Sequence, residues 1–469
     1  MGCIAGSLST TPPIPVPGPD PMTLRVGAVV ELPIDDLLSD GRGVGRCGDQ
    51  VVFVVGGLPG DQVRARLRHR GRHHWQAEIE AVLRPSPDRR RAPCILADHC
   101  GGCSLQFLED QAQQRWKQSS LERVLRRVAA LDVPLRPLIA APSGLGYRNR
   151  ALIPLERVEG GLRAGYYRRG SHRIVNMNHC PVLDPRIDAL IEPLKHDLAA
   201  SDWPVDRHGN HGGGLRHLGL RLGQRSGELL ITLIASHDRL PGLERLAAEW
   251  LQRWPDMVGV ALNLQGKPGN LLMGPQTRTL AGRGWILEAF AGVELRIAAD
   301  TFFQVHSQQA ERVVPLLFEA LDGAGGTLLD AYCGIGTFSL PLAAAGWRVL
   351  GLEQQAGAVD LARRNADHNG LAERARFETT VVGAVLAERL AGMDALFVDP
   401  PRKGLEPEAL AAILSVGPPR LLYLSCDPAT LARDLGRLVT EGGYRIEWLQ
   451  PIDFFPNTSH VETLAVLGR

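Results

Sequence analysis

The spacing of apolar runs predicts an α/β protein: a doubly wound parallel sheet at the carboxyl end, preceded by a small all-β barrel and an α+β central region. Three observations carry that expectation. The 469 residues exceed one ordinary domain of roughly 150 residues. Short β-branched runs broken by glycine turns fill the stretch after residue 22. Beyond residue 300, strand-like runs alternate with helical ones. Hydrophobic residues make up 44% and charged residues 22%, the balance of a soluble globular chain. No apolar run approaches the ~18 residues of a membrane-spanning helix, so no membrane partner is expected.

Residues 1–21 are rich in Ser, Thr and Pro and lack a basic start followed by an apolar stretch. They read as a disordered tail and not as a secretion signal, and the protein is expected in the cytoplasm. Residues 22–84 read as a five-stranded barrel of the oligonucleotide-binding kind. Residues 26–30 open it, a glycine-rich stretch covers 40–45, and the runs 51–55 and 63–67 flank a turn at 56–61. Arg64, Arg66, Arg68, Arg70 and Arg72 recur at every second position, which on an extended strand places five guanidinium groups on one face. Such a face suits a phosphate backbone; a solvated edge strand that uses charge against aggregation has the same pattern. Arg89, Arg90 and Arg91 just downstream favour nucleic acid. The net charge of +1 points the same way, because it conceals a division. Residues 301–469 hold 14 basic and 20 acidic side chains, and the first 300 hold 38 and 31. A polyanion is expected on the first two thirds.

Residues 85–300 read as a central domain, entered through a linker at 85–93. Cys94, Cys100 and Cys103 form C-x5-C-x2-C, and Cys180 follows between His179 and Pro181. In a reducing cytosol such a cluster binds metal or does chemistry more often than it forms disulfides. Tetrahedral thiolate sets serve zinc and iron–sulfur alike. An amphipathic helix is expected from Glu109 to about Ala130, then mixed α+β structure with strands near 229–234 and 258–262.

Residues 301–469 read as the doubly wound domain, with strands at 327–330, 347–353, 395–399 and 421–426. The turn from Asp330 to Thr337 contains Gly334 and Gly336, which let backbone approach a ligand closely. Glu353 closes the next strand, where a carboxylate can accept hydrogen bonds from both hydroxyls of a ribose. The full dinucleotide fingerprint is absent, so a ligand with ribose and adenine but no diphosphate fits better; S-adenosylmethionine is one. Asp399, followed by Pro400 and Pro401, ends one strand, and Cys426, followed by Asp427 and Pro428, ends another. Functional groups gather at such strand ends. Cys426 is either a nucleophile or a buried structural thiol. Glu462, near the end, is a proton acceptor or a solvated surface residue.

Together these residues resemble the RNA uracil-C5 methyltransferase family, nearly throughout the chain from Thr23. The resemblance implies that residues 22–84 are a TRAM domain, an RNA-binding barrel. It makes Cys94, Cys100, Cys103 and Cys180 the ligands of a [4Fe–4S] cluster. Gln304, Tyr332, Thr337 and Glu353 fall where the family binds S-adenosylmethionine, with Asp399 between methyl donor and uracil. Cys426 is similar to the nucleophile and Glu462 to the base. TRAM domain and cluster together resemble the branch that methylates uridine 1939 of 23S rRNA. Another rRNA uridine or tRNA remains an alternative substrate, and a non-catalytic RNA-binding assembly factor an alternative class. A radical enzyme ranks behind both, since its usual C-x3-C-x2-C is absent. The sequence departs from the family at Thr337, often Asn, at His306 after Gln304 and Val305, and at 377–381, where no adenine contact is evident. No obligate protein partner is implied.

Uracil C5 is too weak a nucleophile to take a methyl group directly. The resemblance implies that a thiolate attacks C6, the resulting enolate carries electron density to C5, and a base removes the C5 proton so that the cysteine leaves.

Overall fold

A computed structural model of the protein describes residues 24–206, 213–267, 271–323 and 325–469; the tail expected at 1–21 lies outside them. The described residues form two compact units, divided near residue 87.

The first unit is a closed barrel of β1 (Val29–Leu37), β2 (Gly43–Cys47), β3 (Gln50–Val55), β4 (Gln62–Arg70) and β5 (His74–Arg84), in the order β1-β2-β3-β5-β4. Alternation builds it: Val30, Leu32, Ile34, Val52, Val54, Val63, Ala65 and Leu67 point inward and bury fully. The intervening arginines on β4 point outward as expected, but most do not present a bare cationic face. Arg64 pairs with Glu31 at 2.7 Å, Arg66 with Glu80 at 2.5 Å and Arg68 with Glu78 at 2.9 Å. Arg70 lies over the Trp75 ring. The neighbouring strands supply a carboxylate register that the one-strand pattern could not reveal.

The second unit begins with the cysteine segment and α1 (Asp110–Ala129), within one residue of the expected span. Leu121 and Leu125 on its apolar face pack into the same core as Leu431, Leu435 and Leu438. The next elements are β6 (Arg150–Val158), β7 (Gly161–Ala164), α2 (Pro185–Ala200), β8 (Leu215–Leu222), β9 (Leu229–Ala235), α3 (Leu243–Arg253), β10 (Met257–Leu264) and β11 (Gln276–Gly282). Their strands form one six-stranded sheet, ordered β11-β10-β9-β8-β6-β7, in which only the β9–β10 pair is parallel. A hairpin, β12 (Trp285–Phe290) and β13 (Val293–Ala298), leads through α4 (Ser307–Glu311) and α5 (Val313–Ala320) into the last sheet.

That sheet is built from β14 (Thr327–Ala331), α6 (Ser339–Ala344), β15 (Arg348–Glu353), α7 (Ala356–His368), β16 (Ala375–Thr379), α8 (Val382–Arg389), β17 (Ala395–Val398), α9 (Pro407–Val416), β18 (Arg420–Ser425), α10 (Pro428–Thr440), β19 (Arg445–Ile452) and β20 (Glu462–Gly468). Its order is β16-β15-β14-β17-β18-β20-β19: five parallel strands, then an antiparallel pair at one edge. Strand order reverses at β14, whose neighbours are β15 and β17. A crevice forms at the carboxyl ends around such a switch point.

The connection from β19 to β20 is tied to α1. Lys117 is fully buried on that helix and donates to Asp453 Oδ1 at 2.6 Å and to the Phe455 carbonyl at 3.0 Å. One turn earlier, Gln113 Oε1 accepts from the Asn457 backbone N–H at 2.8 Å. Asn457 has φ +64°, a left-handed conformation that Asn tolerates better than most residues.

Candidate active site

A cavity of about 580 Å³ opens at the carboxyl ends of the parallel strands. Its wall includes Gln304, Tyr332, Glu353, Asp399, Cys426 and Glu462. Six separate chain segments supply these side chains. Gln304 comes from the loop between β13 and α4, where the Asn149 side chain holds its carbonyl at 3.0 Å. Tyr332 follows β14 with φ +70°, so the chain turns sharply as it leaves the strand. Glu353 ends β15, Asp399 follows β17, Cys426 follows β18, and Glu462 begins β20.

Thr337 behaves differently. It is buried in the turn before α6 and does not line the cavity. His306 also stays out: its ring stacks on Tyr147 with centroids 4.6 Å apart, and its Nδ1 lies 3.2 Å from the Phe454 carbonyl. Burial lowers His306 to about 4, so this imidazole is neutral at ordinary pH.

Acidic groups dominate the electrostatics. Burial pushes the Asp399 carboxyl up to about 7. Asp330, fully buried beneath the cavity, is also raised to about 7, first by burial; Asp399 and Glu353 add to this, against a hydrogen bond from Ser339. Glu462 is raised well above the ordinary carboxylate range by burial and then by Asp399, with Arg402 opposing. Its Oε2 has no hydrogen-bond partner among the described residues. The Cys426 thiol is pushed up to about 12 by burial and by the fields of Glu462 and Asp399, again against Arg402. Gln304 Nε2 approaches Asp399 Oδ2 at 3.4 Å.

Several wall residues carried no strong signal in the sequence. Arg148 and Glu406 line the cavity from outside any motif. Phe302 is 59% exposed at its edge, while the adjacent Phe303 is buried. Only the contrast between two neighbouring aromatics, invisible without the fold, distinguishes them.

The four cysteines line a second cavity of about 200 Å³. Backbone N–H groups of Leu96 and Gly102 donate to the sulfurs of Cys94 and Cys100, both at 3.4 Å. Burial raises Cys103 to about 12 and Cys180 to about 11, and in both the neighbouring cysteines add to the rise. Among the described residues, no three or more His, Cys, Asp or Glu side chains converge closely enough to hold one metal ion.

The strand order and the crevice at its switch point define a methyltransferase fold of the S-adenosylmethionine-dependent class. Residues 286–469 match the family model described as tRNA (Uracil-5-)-methyltransferase, and residues 24–69 match the TRAM domain. Over 95% of its length the chain is 51% identical to an RNA methyltransferase of Parasynechococcus marenigrum, covering 96% of that protein. It is 43% identical to one from a Nostoc species, with 95% and 97% covered. The chain belongs to the RNA uracil-5-methyltransferase family. A solved structure, the Pyrococcus abyssi tRNA (uracil-54, C5)-methyltransferase in complex with S-adenosyl-L-homocysteine, is similar with a TM-score of 0.75 and 27% identity. That likeness covers 93% of this chain and 99% of the other.

The raised carboxyls fix a pH dependence. Asp330 and Asp399 keep protons in the folded state that they lose in the unfolded one above pH ~4. Their contribution to stability is therefore complete below that pH and disappears as pH rises through about 7. Asp399→Asn removes one such group. Its stability relative to the parent should grow between pH 5 and 8, by no more than about 4 kcal/mol for three pKa units. Urea midpoints of the free protein across that range measure it; a difference that is flat or shrinking with pH contradicts the assignment.

Proposed function

We propose that this RNA methyltransferase acts on a uridine of 23S rRNA, of the position-1939 type, through a transient covalent bond between Cys426 and uracil C6. The observation that carries this reading is the sharing of one cavity wall by Cys426, Glu462, Asp399, Gln304 and Glu353, although they span 159 residues of sequence. Catalysis at an aromatic carbon needs nucleophile, methyl donor and base within one enclosure. Scattered residues rarely converge there without that requirement.

Glu353 holds the ribose of S-adenosylmethionine, with Tyr332 beside it, and S-adenosylmethionine supplies the methyl group. Acidic side chains in the cavity wall, Glu353, Asp399, Glu406 and Glu462, suit a cationic sulfonium. Thr337 supports the glycine turn from below and takes no direct part. Phe302 stacks on a base turned out of its RNA strand. Gln304 and Asp399 hydrogen-bond the uracil edge.

The resting Cys426 is a thiol, because burial first, and then the fields of Glu462 and Asp399, oppose its ionisation. Arg402 counters them, and each proton held by a neighbouring carboxyl reduces the opposition. The thiol gives up its proton to solvent, the thiolate adds to C6, and the C5–C6 electron pair moves into the enolate. C5 takes the methyl group, leaving S-adenosylhomocysteine. Glu462, in its ionised form, accepts the C5 proton, the C5–C6 double bond re-forms, and the sulfur departs as thiolate. An unpartnered, buried carboxylate is a stronger base than a solvated one, which suits this last step.

The four cysteines fit a [4Fe–4S] cluster better than zinc. Their sulfurs surround one cavity without converging on a single point, and two accept backbone N–H bonds, as thiolate ligands do. Such a cluster would fasten residues 94–103 to Cys180. Methyl transfer itself requires no electron. The reading places the enzyme in the cytoplasm, where such thiols stay reduced.

Cys426→Ala should abolish turnover and any adduct with RNA carrying 5-fluorouridine. Glu462→Gln should still form the adduct with ordinary RNA but release product at least ~100-fold more slowly. Gel-shift and single-turnover assays read both, and an adduct in the Cys426 variant overturns the nucleophile. Mass-spectrometric mapping of 5-methyluridine in a deletion strain should find one 23S rRNA position unmodified; a loss confined to tRNA reassigns the substrate. Protein purified without oxygen should be brown with stoichiometric iron and sulfide, and Cys103→Ser should bleach it. Colourless protein with stoichiometric zinc rejects the cluster.

A further inference from the structure

A basic basin lies beside the cysteine segment, outside the catalytic cavity. Residues 160–183 contain four arginines and two histidines and no acidic residue. They fold back on themselves: Tyr167 bridges Ile174, the Arg168 N–H donates to the Arg173 carbonyl at 2.8 Å, and Gly170 turns the tip at φ +64°. One side of this arm bridges Cys100 through Arg168. A cavity of about 590 Å³ gathers Arg163, Arg168, Arg173 and His99, with Glu156 as its one acidic wall residue. Arg168 also lines a neighbouring cavity of about 540 Å³ with Tyr166, Tyr167 and His172.

The state of these arginines separates them from those of the barrel. Arg64, Arg66 and Arg68 have carboxylate partners. Arg168 and Arg173 are exposed, and their guanidinium groups have no partner among the described residues. Arg163 has one carboxylate, Glu156, at 3.8 Å, beyond hydrogen-bond range. Free cations held around a concavity cost self-repulsion, which an anion relieves. Tyr167 and His172 meet edge-to-face with centroids 5.8 Å apart, so aromatic faces stand beside the charges. Guanidinium groups beside aromatic rings form the composition that grips single-stranded nucleic acid.

Position strengthens the case. The second basin shares Gly102 and Tyr166 with the cysteine cavity, which in turn shares Arg148 with the catalytic cavity. The four concavities thus follow one another through common walls.

We infer that Arg163, Arg168 and Arg173 hold the phosphodiester backbone of the RNA strand that flanks the target uridine, with Tyr167 and His172 beside its bases. This rests on the RNA reading above and adds the subsite that receives the strand. The sequence pattern had pointed to the barrel for this work.

The test uses the full-length protein and two variants, Arg168→Gln/Arg173→Gln and Arg168→Lys/Arg173→Lys. The probes are labelled 23S rRNA and tRNA transcripts, followed on whichever the parent methylates. The Gln pair should raise KM for that transcript at least about tenfold and leave kcat and S-adenosylmethionine affinity unchanged. Its log–log salt dependence of binding should flatten by about 1.4, two single-strand phosphate contacts at roughly 0.7 each. The Lys pair, which keeps the charge, should keep most of the slope. Unchanged KM and salt slope in the Gln pair overturn the basin and leave the enzyme reading standing. A parent that methylates neither transcript overturns the substrate reading, and RNA binding by the two proteins still decides the basin. Equal binding in that case rejects RNA and leaves a solvated surface or a protein contact.

Discussion

Two buried carboxylates and one thiol share a wall of the catalytic cavity, and this constraint governs the rest of the site. Burying Asp399 and Glu462 costs solvation that no directly bonded cation returns; Arg402 acts on Glu462 and Cys426 only through space. A stable core has no use for such a group, because an apolar side chain of similar size would fill the space without the cost. The mechanism proposed above gives such groups a use, as a basic carboxylate and a controlled sulfur. Burial raises both Glu462 and Cys426, and the field of Asp399 adds to the rise of each. Cys426 and Glu462 are therefore coupled, since each also lies in the field of Asp399.

Holding Glu462 in place is a long-range problem solved by α1. The connection 453–461 leads directly into Glu462, and irregular backbone there would be mobile without fixed partners. Lys117 and Gln113, more than 330 residues away in sequence, supply them through Asp453, the Phe455 carbonyl and Asn457. Burial lowers Lys117 below its ordinary range while Asp453 opposes the shift, as expected of an ion pair that ties a helix to a loop. Removing either partner leaves a charge buried alone, which is the costly case.

What was legible in the sequence follows from how local each signal is. The strands that lead to Glu353, Asp399 and Cys426 are short apolar runs closed by polar residues, and α1 is amphipathic. Periodicity and turn chemistry therefore located them. The arginine stripe was visible on β4, but the carboxylates that pair with it sit on β1 and β5, and register is a tertiary property. Arg148 and Glu406 could not be found because no motif surrounds them; only the closing of the fold brings them to the cavity. Thr337 shows the opposite case. The family resemblance put it among the cofactor contacts, whereas its side chain is buried and does not line the cavity.

The cysteine cavity can influence methyl transfer without taking part in it. Thr458 lines the cysteine cavity, while Phe455, His460 and Glu462 line the catalytic one, so a single stretch of eight residues forms part of both walls. Tyr147 belongs to the cysteine cavity, donates to the Pro456 carbonyl at 3.2 Å and stacks on His306, two residues from Gln304. Arg90 donates both to the Gln106 carbonyl and to the Asn457 side chain, while Gln106 itself accepts from the Cys94 N–H. Together these contacts join the surroundings of the cysteine cavity to the 453–461 connection and to the loop that carries Gln304. An occupant that draws Cys94, Cys100, Cys103 and Cys180 together would therefore set the alignment of Glu462 mechanically. Under the base role proposed for Glu462, a shift of about 1 Å transmitted along this stretch is enough to slow proton removal, because near-attack geometry tolerates little displacement.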